Sequence, residues 1–213
     1  MSRSPGDQSN VRREYSKSAL TRAALEDDPC DQFAIWLGEA QQAELVDATA
    51  MTLATANAQG EPSARIVLLK RFDAHGFVFF TDYGSQKGQE LAVNPRAELL
   101  FYWQELERQV RISGIVEKVS REESATYFAS RPLDSQISAS ISAQSQPIDA
   151  RETLEARASA LQSEGKIIPP EDWGGYSLAP ARYEFWQGRP NRLHDRFSYT
   201  KASHGWEISR LQP

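Results

Sequence analysis

The sequence predicts a mainly β, antiparallel barrel with helical insertions. Three observations lead there: seven or eight short runs rich in β-branched and aromatic residues, Gly, Pro and Asn turn signals between them, and no strand-helix alternation of the βαβ kind. At 213 residues with no Pro/Gly/Ser linker, the chain is expected to form one domain over residues 21–213. Residues 1–20 are polar, with a basic cluster at Arg12, Arg13 and Lys17. They read either as a flexible arm that orders on a ligand or partner, or as a solvated tail.

Taken in order, Phe33, Ile35, Trp36, Leu37, Ala40 and Leu45 fit one face of a helix entered at Asp28-Pro29. Thr49 to Asn57 reads as a strand, turning through Gln59-Gly60 into Arg65-Ile66-Val67-Leu68-Leu69-Lys70. That run is expected to be a strand buried on both faces, with a cation at each end. Either the two charges reach solvent, or they meet two anionic groups on opposite faces. Gly76 to Thr81 is a third strand, and the three are expected to form a meander.

Ser85 is placed to cap a short helix ending at Asn94-Pro95, with Lys87 in its first turn. Lysine suits a helix N-terminus only when an anion is present, so the turn is a candidate phosphate seat. Glu98 to Trp103 and Arg108 to Val119 are further strands. On the second, Gln109, Arg111 and Ser113 alternate with Val110, Ile112 and Ile115, leaving one polar face for a site or interface. Ser120 to Glu123 is a capping box opening a helix that Arg131-Pro132 ends. Ser135 to Ser145 is serine-rich and weakly helical, and Asp149 to Ser163 is an amphipathic helix stopped by Gly165. Lys166 to Gly175 reads as a crossing loop. Arg182 to Gly188, Phe197 to Lys201 and Trp206 to Leu211 are the last strands.

A formal net charge of -5 argues against a non-specific nucleic-acid binder, so any anion site must be built locally from a few placed cations. A single cysteine, Cys30, excludes an intramolecular disulfide. No run approaches a membrane span, and a cytoplasmic protein is expected. His75, His194 and His204 are too dispersed to suggest a metal site, and none is expected. Gly-x-Gly-x-x-Gly, Walker and Gly-x-Ser-x-Gly patterns are all missing.

What remains is anion-binding chemistry: Arg65, Lys70, Lys87, Arg131, Arg192 and Arg196, with Tyr127, Ser135 and Ser145 as neutral donors. Trp186 and Tyr102 could flank a flat ring. In an extended Arg192-Leu193-His194-Asp195-Arg196, both arginines and His194 share one face, which discourages protonation of the histidine. The same segment also reads as a charged hairpin edge.

Arg65 to Lys70, Gly84-Ser-Gln-Lys87, Leu106-Glu-Arg-Gln-Val110, Tyr127-Phe-x-Ser-Arg-Pro132 with Asp134-Ser-Gln136, Gln144-Ser145, and Glu184 to Gly188 followed by Arg192 to Arg196 resemble the pyridoxamine 5'-phosphate oxidase family. The resemblance runs in order from about Arg12 to Pro213. It implies an FMN-binding split β-barrel of Greek-key type, working as a homodimer with active sites at the subunit interface. The implied reaction oxidises pyridoxamine or pyridoxine 5'-phosphate to pyridoxal 5'-phosphate, with O2 as acceptor and H2O2 as product.

Carried over by position, the resemblance implies FMN contacts from Arg65, Ile66, Val67, Leu68, Lys70, Phe80, Thr81, Gln86 and Lys87. Gln109, Gln144, Ser145, Trp186 and Arg196 complete that set, some from the partner chain. Lys70, Tyr127, Arg131 and Ser135 are implied to hold the substrate phosphate, with Arg192, Leu193 and His194 over its ring. Arg12, Arg13, Glu14 and Tyr15 are implied to close as a lid, and Arg192 and His194 are the implied catalytic pair. Gln86 stands where the family commonly has arginine, so one charge beside the flavin phosphate is missing. Two rivals remain: a split-barrel flavin oxidoreductase with another substrate, and a non-catalytic flavin or vitamer carrier.

Overall fold

The computed structural model describes residues 14–165 and 167–213. Its elements are α1 (Pro29–Gln42), β1 (Ala50–Ala56), β2 (Pro62–Leu68), β3 (Arg71–Asp73), β4 (Gly76–Asp82), α2 (Gln86–Val93), β5 (Arg96–Trp103) and β6 (Arg108–Lys118). They continue with α3 (Arg121–Ser130), α4 (Leu133–Ile141), α5 (Arg151–Glu164), β7 (Trp173–Gln187), β8 (Asp195–Lys201) and β9 (Trp206–Leu211). All nine strands belong to one antiparallel sheet in the order β2-β1-β5-β6-β7-β4-β3, with β8 on β7 and β9 on β8.

The two ends of that order meet. Between β2 and β3, the Leu69 N–H donates to the Thr49 carbonyl at 2.9 Å and the Lys70 N–H to Val78 at 2.8 Å. Residues 69 and 70 thus carry the chain from the β1 ladder to the β4 ladder, and Lys70 emerges at that crossing. Inside, α1 lays Phe33 among Phe72, Phe77 and Phe101, with ring centroids 5.0, 5.1 and 4.9 Å away. Trp36 meets Phe185 of β7 edge-on at 5.3 Å. Burial of these large rings supplies most of the driving force for closure.

Local signals match the elements they predict. Asp28 accepts from the Cys30 N–H at 2.7 Å, Ser85 caps α2 by accepting from Gly88, and Ser120 caps α3 by accepting from Glu123 at 3.0 Å. Gly165, in the left-handed region at φ +70°, ends α5.

Several expectations are corrected by long-range pairing. β1, β2 and β4 are not a meander, because β1 lies between β2 and β5 while β4 pairs with β7. β2 is not buried on both faces: it alternates exposed and half-buried, with Ile66 64% exposed, because its own chain covers only one face of it. Trp173, Gly174 and Gly175 are not loop but the start of β7, paired with β4. A Cβ on Gly174 would sit 2.1 Å from the Tyr83 hydroxyl, so close packing explains the glycine there. A register shift leaves Ala181 of β7 without a partner opposite Ser113-Gly114, while β6 keeps its two-residue alternation, which buries Val116 rather than Ile115. No residue of α5 is buried, so its apolar side is covered by little of its own chain.

Candidate active site

A cavity of about 490 Å³ opens between β2, β4, α2 and α4. Its walls include Arg65, Ile66, Val67, Leu68, Lys70, Phe80, Thr81, Lys87, Tyr127, Arg131, Ser135 and Gln144. Folding thus gathers most of the sequence-predicted anion donors in one chain.

Arg65 comes from β2. Its guanidinium donates to the Leu53 carbonyl at 3.2 Å and to the hydroxyls of Thr55 and Ser63, and lies 3.3 Å from the Glu90 carboxylate. Glu90 projects from α2 and is 7% exposed. Burial alone would raise its pKa. Hydrogen bonds from Ser63, Thr55 and Gln86, with the Arg65 charge, outweigh that and bring it down to about 2. Of the two alternatives for the Arg65 charge, solvent or an anionic group, the structure supplies an anion of the protein's own in Glu90.

Lys87 stands in the first turn of α2 with its ammonium buried. Nζ donates to Thr81 at 3.2 Å, Ser85 at 3.3 Å and the Gln144 side-chain carbonyl. Burial first, and then the Arg65 charge, lower its pKa. Gln144 is itself fixed, its backbone N–H donating to Asp82 at 3.2 Å. Gln86 turns aside: its amide donates to Glu90 at 2.9 Å, and it does not line the cavity. Ser145, at φ +70°, meets the Gln86 backbone N–H at 3.3 Å and also lies off the lining.

The second group of donors comes from α3, the Arg131-Pro132 break and α4. Tyr127 stacks on Phe80 at 3.9 Å, and the Arg131 guanidinium lies 4.9 Å over the Trp173 ring. Among the described residues, Arg131 Nη1 is the one buried side-chain nitrogen or oxygen without a hydrogen-bond partner. Burial lowers the Arg131 pKa, yet a guanidinium stays charged. A buried, unpaired cationic N–H beside a cavity calls for an anion. Ser138 and Ser142 share the lining with Ser135. The sequence reading did not single out these two, although spacings of three and four residues put the three serines on one helical side.

The other implied residues lie elsewhere. Gln109, Trp186 and Arg196 form one row across β6, β7 and β8. Arg196 is held by Glu184 at 2.7 and 3.0 Å. His194 lies 4.7 Å from the Trp186 ring, and Tyr15 meets both rings edge-on at 5.5 and 5.4 Å. Arg192 is not extended: it and Asn191 have φ of 61° and 56°, so the expected shared face of Arg192, His194 and Arg196 is lost. Leu193 is exposed, as is Glu14, while Arg12 and Arg13 lie outside the described residues.

The His194 Nδ1 accepts the Arg189 backbone N–H at 3.1 Å, which places the proton of a neutral imidazole on Nε2. Burial and then the Arg192 charge lower its pKa. This cluster does not line the cavity. Along β7, the partner of Phe80 is Gly175 and the partner of Gln109 is Trp186, eleven residues on, or about 36 Å of strand.

Comparison with known proteins gives this arrangement a family. The model described as pyridoxamine 5'-phosphate oxidase matches residues 37–164, and that of the pyridoxine 5'-phosphate oxidase C-terminal dimerisation region matches residues 173–213. The pyridoxine/pyridoxamine 5'-phosphate oxidase of Bordetella avium is 54% identical over 208 residues, 96% of this chain and 99% of that protein. The protein of the same name from Burkholderia cenocepacia is 56% identical over 209 residues, covering 96% and 98%. Among solved structures, PhzG from Burkholderia lata in complex with tetrahydrophenazine-1-carboxylic acid superposes with a TM-score of 0.88 at 32% identity, covering 93% of this chain and all of that one. A pyridoxamine 5'-phosphate oxidase-related, FMN binding protein from Nostoc punctiforme shares the fold at a TM-score of 0.72 and 18% identity. On its cavity, its fold and these relatives, the chain belongs to the pyridoxamine 5'-phosphate oxidase family, a family of FMN-dependent oxidoreductases.

Proposed function

We propose that the protein oxidises pyridoxamine 5'-phosphate and pyridoxine 5'-phosphate to pyridoxal 5'-phosphate, with O2 as acceptor, H2O2 as product, and ammonia released from the amine. The observation that carries this reading is the presence, in one cavity, of two sets of phosphate donors that share no hydrogen-bond partner. Arg65 and Lys87 lean on Glu90, Thr81 and Gln144, whereas Arg131 lies over Trp173 with Nη1 unsatisfied. Two separate anion seats suit two phosphorylated aromatic molecules.

The donor set fits FMN. Arg65, Thr81 and Lys87 would hold its phosphate, with Ile66 to Leu68 and Phe80 beside it. When bound, FMN accepts a hydride equivalent and passes the electrons to O2. Lys70, Tyr127, Arg131 and Ser135 would clamp the substrate phosphate, which fixes the position of the reacting carbon.

Arg192 and His194 complete the site only from a second copy of the chain, since within one chain about 36 Å of β7 separates their end from the cavity. The match to a dimerisation region supports a homodimer with FMN at its interface. His194, neutral and carrying its proton on Nε2, would donate a hydrogen bond to the substrate's oxygen or nitrogen rather than act as a strong base. A cytoplasmic setting belongs to the same reading.

The test is to purify the protein, record flavin bands in its visible spectrum, and follow peroxide with pyridoxamine 5'-phosphate. Flavin bands with peroxide release are expected. A flavin-loaded protein inert towards this substrate would point to a different substrate or to a carrier. A colourless protein that FMN cannot reconstitute would overturn the flavoenzyme reading.

A further inference from the structure

Leu106-Glu107-Arg108-Gln109-Val110 is a motif to which only Gln109 brings an implied role, and its glutamate is unusually placed. Glu107 is 3% exposed, sits in the turn between β5 and β6, and adopts φ of 55°. One carboxylate oxygen accepts the backbone N–H groups of Ser16 at 2.9 Å and Lys17 at 3.0 Å. Its main-chain carbonyl accepts from the Gly188 N–H at 2.8 Å and the Gln187 amide at 3.1 Å. One residue thus joins the N-terminal segment to the end of β7 that carries Trp186.

Further contacts fix the same segment. The Leu20 N–H donates to Asp195 at 3.1 Å, one residue from His194. A Cβ on Gly188 would fall 2.7 Å from the Tyr15 ring and 3.0 Å from the Glu107 Cβ, so the absent side chain is the space that both occupy. Hydrogen bonds from two N–H groups to a buried carboxylate are charge-assisted and hold backbone more firmly than neutral contacts do.

We propose that Glu107 is a positioning residue for the substrate end of the site: by gripping residues 16 and 17 it seats Tyr15 across His194 and Trp186. In this scheme Glu107 acts on the substrate through Tyr15. The inference rests on the reading of His194 as a substrate contact.

The test compares Glu107→Gln with the parent holoenzyme. Trypsin cleavage after Lys17 is expected to quicken about fivefold, and the KM for pyridoxamine 5'-phosphate to rise about fivefold, while the FMN Kd stays within about twofold. Gly188→Ala keeps the carboxylate but crowds the Tyr15 ring, and is expected to raise KM similarly. In a Tyr15→Ala background, Glu107→Gln is expected to raise KM no further. Unchanged cleavage and KM would overturn the proposal, as would an equal KM increase in the Tyr15→Ala background. If the parent enzyme does not turn over this substrate, the functional reading fails, but the cleavage rate still decides whether Glu107 holds the segment.

Discussion

Arg65, on the wall of a cavity lined with cations, lies 3.3 Å from Glu90, which is outside that lining. The carboxylate neutralises part of the charge that a phosphate would otherwise meet, and keeps the guanidinium solvated by protein when no anion is there. Its pKa, brought to about 2 from an ordinary 4.5, makes the pair a stability element with a defined pH window. Because the folded value lies below the unfolded one, the contribution is complete above pH 4.5 and is lost as pH falls towards 2. It should amount to about 2 kcal/mol once solvent screening is allowed for. Thermal melts of Glu90→Gln from pH 6 to pH 3 should lack this acid-dependent component, while the parent protein shows it.

Lys87 and Arg192 should separate cofactor binding from turnover. The Lys87 ammonium is buried among Thr81, Ser85 and Gln144, so Lys87→Ala removes a charged donor that water cannot replace at that spot. FMN affinity is expected to fall about tenfold to a hundredfold. Arg192 is exposed, off the cavity, and is expected to matter to substrate alone. Arg192→Ala should lower kcat/KM about a hundredfold with FMN affinity within about threefold. Fluorescence titration of apoprotein and initial-rate kinetics measure the two separately, and equal losses in both would contradict the division.

The acid limb of activity should report His194. Burial and the Arg192 charge favour its neutral form, and the Arg189 N–H on Nδ1 reinforces this by occupying an acceptor that protonation would abolish. A lowered pKa means that the neutral form, with Nδ1 accepting the Arg189 N–H, persists below the usual histidine range near 6.5. The acid limb of a kcat/KM plot should therefore lie on the acidic side of the usual histidine range. Arg192→Gln removes the repelling charge and should move that limb towards higher pH.

What the sequence makes legible follows from how local each cause is. Ser85 and Ser120 as caps, Gly165 as a helix stop and the two-residue alternation on β6 depend on residues within a few positions. The run Ile66 to Leu68 reads as doubly buried because an apolar string carries no sign of lying on a strand that its own chain covers on only one face. Pairing of β4 with β7 joins residues nearly a hundred positions apart, which no local pattern encodes. The positive φ at Arg192 follows Pro190 and Asn191, a turn signal that the charge pattern overshadowed. Glu90 is illegible for a different reason: in a short polar helix, a glutamate reads as surface until Arg65 arrives from another strand.

Arg131 is where binding and stability should oppose each other most clearly. Its Nη1 is buried without a partner, a cost of about 1 to 3 kcal/mol that the folded protein carries until an anion reaches it. Methionine keeps most of the length and the contact with Trp173 while deleting the unsatisfied group. Arg131→Met should therefore raise the Tm of the ligand-free protein by a few degrees, roughly 2 to 4 °C per kcal/mol for a chain of this size. The same change should increase the KM for pyridoxamine 5'-phosphate at least about tenfold, because the phosphate loses its buried donor. Inorganic phosphate should then raise the Tm of the parent protein by more than that of the variant, since only the former gains by satisfying Nη1. A variant that is less stable, or that keeps the parent KM, would show that the orphaned guanidinium is not held in readiness for the substrate.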